Sequence, residues 1–136
     1  MNQTHNTNFY EMLTAACRKN GKGTAVFNDK EKTTYHALKQ EVDAVAAYLQ
    51  NMGVKFGDKV ALAVSNSPEF ISAYFAVSAI GAVAVPMNTF LKNNEYAYIL
   101  NDCKARFMFA SAGLQKELKG LKKQTRVEKI IWIGEA

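Results

Sequence analysis

Ser65, Asn66, Asn88 and Ser111 are the residues of this 136-residue chain best placed to touch a ligand. Each lies at or just past the end of a short apolar run: 60–64, 82–85 and 106–110. In an open α/β sheet, ligands bind outside the carboxyl ends of the strands, so these positions line the expected cleft. Their chemistry is neutral. Hydroxyls and amides can orient a substrate or donate a hydrogen bond, but none is a strong acid, base or nucleophile without a partner. Competing explanations exist for several of them. Ser65, Asn66 and Ser67 precede Pro68 and read as a helix start, while Asn88 follows Pro86 and Met87 where a turn asparagine is equally at home.

Other chemistries find little support. Gly21-Lys22-Gly23-Thr24 has the flavour of a phosphate-binding loop, but the required GxxxxGK[ST] order between strand and helix is missing. No GxGxxG follows any apolar run, which argues against nicotinamide binding. A magnesium-dependent receiver switch needs carboxylates after the first and third strands, and Ser65 and Ser111 stand there instead. His5 and His36 have no nucleophile beside them and read as solvated histidines. Cys17 and Cys103 show no CxxC or Cys/His ligand spacing, so both read as free thiols rather than as a disulfide or zinc site.

The elements that would hold the candidate cleft can be read from periodicity. After a polar start, Phe9, Leu13, Ala16 and Cys17 share one helical face, expected to pack as a lid over the domain edge. Thr24–Phe27 and Lys32–Tyr35 flank the turn-forming Asn28, Asp29, Lys30 and Glu31, the composition of a hairpin. From His36, the stripe Leu38, Val42, Val45, Ala46 and Leu49 defines a helix that Gly53 ends. Val60–Val64 is apolar without alternation, as befits a strand covered on both faces. Ser67 and Pro68 start a helix running to about Ile80, with Phe70, Ile71, Tyr74, Phe75 and Val77 as its buried surface and Gly81 as its stop. A strand at Ala82–Val85, a helix at Asn93–Asn101, a strand at Arg106–Ala110, a fourth helix on Leu114, Leu118 and Leu121, and a strand at Lys129–Ile133 with Trp132 in its apolar core complete the series. Short strands alternating with helices imply a doubly wound, mostly parallel α/β sheet with right-handed crossovers.

Composition is that of an ordinary globular domain, 49% hydrophobic and 21% charged. No apolar run reaches the roughly 20 residues that span a bilayer, and the polar start carries no secretory signal, so a cytoplasmic location is expected. The net charge of +5 draws on Lys116, Lys119, Lys122, Lys123, Arg126 and Lys129. No stacking aromatics are interleaved there, so a solvated surface is favoured over a nucleic-acid site. An incompletely covered sheet would expose apolar surface at its last strand and one helical face, making self-association an expectation.

One resemblance draws these pieces together. Thr33-Thr34-Tyr35-His36-Ala37-Leu38, Gly57-Asp58-Lys59-Val60-Ala61, Asn66-Ser67-Pro68-Glu69-Phe70, the run Ala79 to Thr89 with Pro86-Met87-Asn88, and Glu95 to Asp102 resemble, in order and spacing, the amino-terminal region of adenylate-forming acyl-CoA synthetases, the AMP-binding superfamily. The stretch Thr89 to Asp102 looks most like fatty-acid CoA ligases. Thr89 stands where many members carry proline. The resemblance implies a parent enzyme that activates a fatty acid or related carboxylic acid with ATP and Mg2+ as an acyl-adenylate, then transfers the acyl group to coenzyme A. It implies residues 1–23 as a leading tail and helix and 24–136 as the amino-terminal part of the large domain. It also places the phosphate loop, acidic nucleotide motifs and mobile-domain lysine past residue 136, so that the fragment alone is expected to be inactive, with no catalytic residue assigned. Two alternatives stand beside it: a non-catalytic α/β binding domain, and an adenylation domain that loads a carrier-protein thiol.

Overall fold

The computed structural model describes residues 8–135. His5 therefore lies outside the described residues. Helix α1 (Phe9–Asn20) begins at Asn8, whose side chain accepts from the Glu11 amide. It is more than a lid: Leu13 and Cys17 enter the main core, and α1 packs on two later helices. Strands β1 (Thr24–Asn28) and β2 (Glu31–Thr34) form the expected antiparallel hairpin. Its turn uses Asp29 in the left-handed region, at φ 53°, a conformation that aspartate tolerates better than most residues.

The Thr34 hydroxyl accepts from Ala37 N and starts α2 (Tyr35–Asn51), which buries Leu38, Val42, Ala46 and Leu49 while Val45 is half-buried. Then come β3 (Lys59–Ala63), α3 (Pro68–Ala79), β4 (Val83–Pro86), α4 (Asn93–Cys103), β5 (Phe107–Ser111), a 3-10 turn at Ala112–Leu114, the short α5 (Leu121–Gln124) and β6 (Lys129–Ile133). The last four strands form one parallel sheet in the order β4-β3-β5-β6.

Both faces of that sheet are covered, and the central strands show why their sequence does not alternate. Val60 and Leu62 of β3 point into the core under α1, α2 and α3, whereas Ala61 and Ala63 point into a second core with Tyr96 and Leu100 of α4 and Leu121 of α5. Phe107 and Phe109 against Met108 and Ala110 divide β5 in the same way.

At the amino ends of the strands, Arg106 bridges Asp58 (3.3 Å) and Glu128 (3.1 Å), tying the entries to β3, β5 and β6 together. The hydrogen bond to Glu128, the smaller effect of lost water opposing it, raises the guanidinium pKa further above its ordinary value.

Three expectations from the sequence are corrected. The buried side chains of α3 are Ser72, Ala73, Ala76 and Val77, while Phe70, Ile71, Tyr74 and Phe75 are only half-buried. Small residues let α3 lie close against α2, and the larger rings turn toward α1, where Phe9 meets Tyr74 (5.3 Å) and Phe75 (6.2 Å) edge-on. Second, Leu114, Leu118 and Leu121 do not ride on a continuous helix. The segment is a 3-10 turn, a series of turns and one short helix. Gly120 at φ 81° interrupts it, and the Asn93 amide draws off the carbonyls of Glu117 (2.7 Å) and Lys119 (3.1 Å). Leu118 and Leu121 are buried nonetheless. Third, Trp132 is not core but 39% exposed, because β6 is an edge strand. Among the described residues no helix is long and apolar enough to cross a membrane.

Candidate active-site cleft

The carboxyl end of β3 is where the sheet's connections diverge. From β3 the chain runs through α3 to β4 on one side, and from β5 it runs on to β6 on the other. That divergence opens the crevice in which doubly wound sheets hold ligands. Ser65 and Ser111 meet across it: Ser65 N–H donates to Ser111 Oγ at 2.9 Å, and the two hydroxyl oxygens lie 3.4 Å apart.

On the β4 side a concavity of about 350 Å³ is lined by Ser65, Asn66, Met87, Asn88 and Phe90, with Val64 and Thr89. Three of the four candidate residues thus share one cavity, and the fourth, Ser111, is bonded to one of them. Each is held by local structure. Ser67 caps α3 by accepting from Phe70 N (3.2 Å), and its own hydroxyl donates to the Ser65 carbonyl (2.9 Å). Pro68 at the first turn needs no donor there. The Met87 amide extends the β3–β4 ladder by donating to Leu62 O at 2.9 Å.

Asn88 does make a turn: its Oδ1 accepts from Phe90 N at 2.8 Å. Its carbonyl oxygen also accepts from the Tyr96 hydroxyl at 2.9 Å, a contact that sequence reasoning missed because Tyr96 read only as an inward-facing helix residue.

The cleft is suited to hydrogen bonding and shape rather than to proton transfer. Among the described residues no group of three or more His, Cys, Asp or Glu could hold a metal ion. The phosphate-like Gly21–Thr24 segment is a structural turn. Gly21 O accepts from His36 N and Gly23 O from Tyr35 N, at 3.0 Å each. A side chain at Gly21 would run into the His36 ring. Cys17 is buried, its thiol donating to Tyr35 O, and Cys103 is half-buried; both are free.

Comparison with known proteins gives a consistent picture. The AMP-binding enzyme family matches residues 13–135. Crotonobetaine/carnitine–CoA ligases of Escherichia coli and Shigella dysenteriae are 40% identical over 79 residues, 58% of this chain and 15% of theirs. The chain therefore spans about one-seventh of the length of these curated relatives. Among solved structures, an anthranilate CoA ligase in complex with anthranoyl-AMP superposes with a TM-score of 0.89 at 30% identity, covering 94% of this chain and 25% of that one. A Mycobacterium tuberculosis fatty acyl CoA synthetase gives a TM-score of 0.87 at 26% identity, covering 93% and 26%.

Proposed function

We propose, from the premise that this chain belongs to the AMP-binding enzyme family, that it forms one wall of the active-site cleft of an ATP-dependent acid–thiol ligase. The observation that carries the reading is the family match over 13–135, most of the chain. A carboxylate is a poor electrophile. Joining its oxygen to the α-phosphorus of ATP expels pyrophosphate and leaves AMP as the group that a thiol can then displace, giving the thioester and AMP.

In this scheme Ser65, Asn66, Asn88 and Ser111 orient the acid or its adenylate by neutral hydrogen bonds. The charge of the phosphates and of Mg2+ is met by groups past residue 136. Residues 24–136 are the amino-terminal part of the large domain, 1–23 its leading tail and helix, and this chain alone is inactive.

The substrate is a carboxylic acid, a fatty acid or a related one, and the acceptor is coenzyme A. The relatives' names support that range, since they span carnitine, anthranilate and fatty acyl ligases. The cytoplasm is the compartment in which ATP and coenzyme A would meet it. The isolated chain self-associates through the open β6 edge and the neighbouring apolar groove of Val45, Tyr48, Ala73, Phe109 and Ile131.

The test is pyrophosphate release by the complete gene product with ATP and a panel of acids, followed by thioester formation on adding coenzyme A. Acid-dependent release is expected. A folded full-length protein that releases none with any acid overturns the reading, and coenzyme A-independent loading of a carrier protein would reassign the acceptor.

A further inference from the structure

We propose that Tyr96 is a positioning residue for the cleft: from the buried face of α4 its hydroxyl holds the Asn88 carbonyl and so fixes the Met87–Phe90 loop that walls the cavity on the β4 side. The inference rests on the proposed function for its consequence, but its geometry stands independently. Tyr96 is 0% exposed, the largest of the fully buried side chains. A phenol so placed must find a partner for its hydroxyl, because leaving it bare forfeits its hydration. The partner it finds is the backbone of the loop, at 2.9 Å.

The loop has few other restraints. After the Met87 amide leaves the ladder, Asn88 is exposed, Phe90 is 89% exposed, and the Oδ1 bond to Phe90 N is internal to the loop. Beside the buried Met87 and its amide bond to β3, the Tyr96 hydroxyl ties this turn to a second rigid element, a helix whose first turn is itself braced by Glu95 accepting from Lys92 N at 2.7 Å. Burial raises the phenol's pKa above its ordinary value, partly offset by the backbone at Leu91, so it remains a protonated donor throughout the working range. A ligand wall that moves by a fraction of an ångström loses alignment with the groups opposite it, here Ser65 and Asn66.

The experiment compares the complete gene product with its Tyr96→Phe variant, which deletes only the hydroxyl. Hydrogen exchange of the peptide spanning 87–92 is expected to quicken about fivefold in the variant, while the rest of α4 is unchanged. In the pyrophosphate assay, KM for the acid is expected to rise about fivefold with kcat within about twofold. A smaller folded fraction cannot give that pattern, since it lowers kcat alone. Unchanged exchange in the loop overturns the clamp, and faster exchange with unaltered KM overturns its role in positioning. Should the wild type release no pyrophosphate, the proposed function fails, and the exchange measurement still decides the clamp. If Tyr96→Phe does not fold, the wild type decides the clamp: the peptide spanning 87–92 is expected to exchange at least about tenfold more slowly than the exposed hairpin turn at 28–31, and equally fast exchange overturns the proposal.

Discussion

Loss of surrounding water pushes the Asp43 carboxyl up, yet its net pKa lies below the ordinary carboxylate value because two donors outweigh that effect. The Tyr10 hydroxyl of α1 donates to one oxygen at 2.7 Å and Lys39 Nζ to the other at 2.9 Å. The bond to Asp43, followed by that to Tyr10, holds Lys39 above its own ordinary value. A carboxylate with a lowered folded pKa adds stability that is fully present above the unfolded value of about 3.9 and is lost as the pH falls through the folded one. Thermal midpoints should therefore decline as the pH drops from about 5 into the acid range, and Asp43→Asn should make that decline shallower. Because the pair is largely exposed, the difference should stay within about 1 kcal/mol. A variant and wild type with superimposable pH profiles would show that the helix tie contributes nothing. Arg106 makes a comparable tie at the amino ends of the strands, where Asp58 and Glu128 converge on one guanidinium.

Among the elements, α3 shows the limit of pattern reading. Its ends were legible: Ser67-Pro68 at the start and Gly81, at φ 73°, just past its end, are backbone requirements written in single residues. Its buried face was not, because a run with almost no polar side chains has no amphipathic stripe to read, and residue size rather than hydrophobicity decides which side meets α2. Ala76 is 0% exposed in the core that α3 shares with α1, α2 and the sheet. Ala76→Leu should overpack that core at a cost of about 1–3 kcal/mol, lowering the thermal midpoint by roughly 3–10 °C. An unchanged midpoint would mean that the core under α3 tolerates a larger side chain. The β3 and β5 strands were readable because burial on both faces removes alternation. The segment after Ser111 misled for a long-range reason: its leucines keep helical spacing, but Asn93, two dozen residues earlier, takes the carbonyls of Glu117 and Lys119. Within the cleft, topology placed Ser65, Asn66, Asn88 and Ser111 together from sequence. The Tyr96–Asn88 bond was invisible because nothing in local spacing says where a buried hydroxyl will point.

At the scale of the whole molecule, the sheet is closed above and below by helices but open at both lateral edges, β4 and β6. Open edges invite pairing with another strand. The lone tryptophan of the chain happens to stand at one of them, in β6, part in water and part against protein. Its indole is thus an optical gauge of whatever comes to rest along that border. As the isolated chain is concentrated, emission should move toward the blue in step with the scattered mass. Constant colour and a constant monomer mass across the series would instead mean that β6 stays bare.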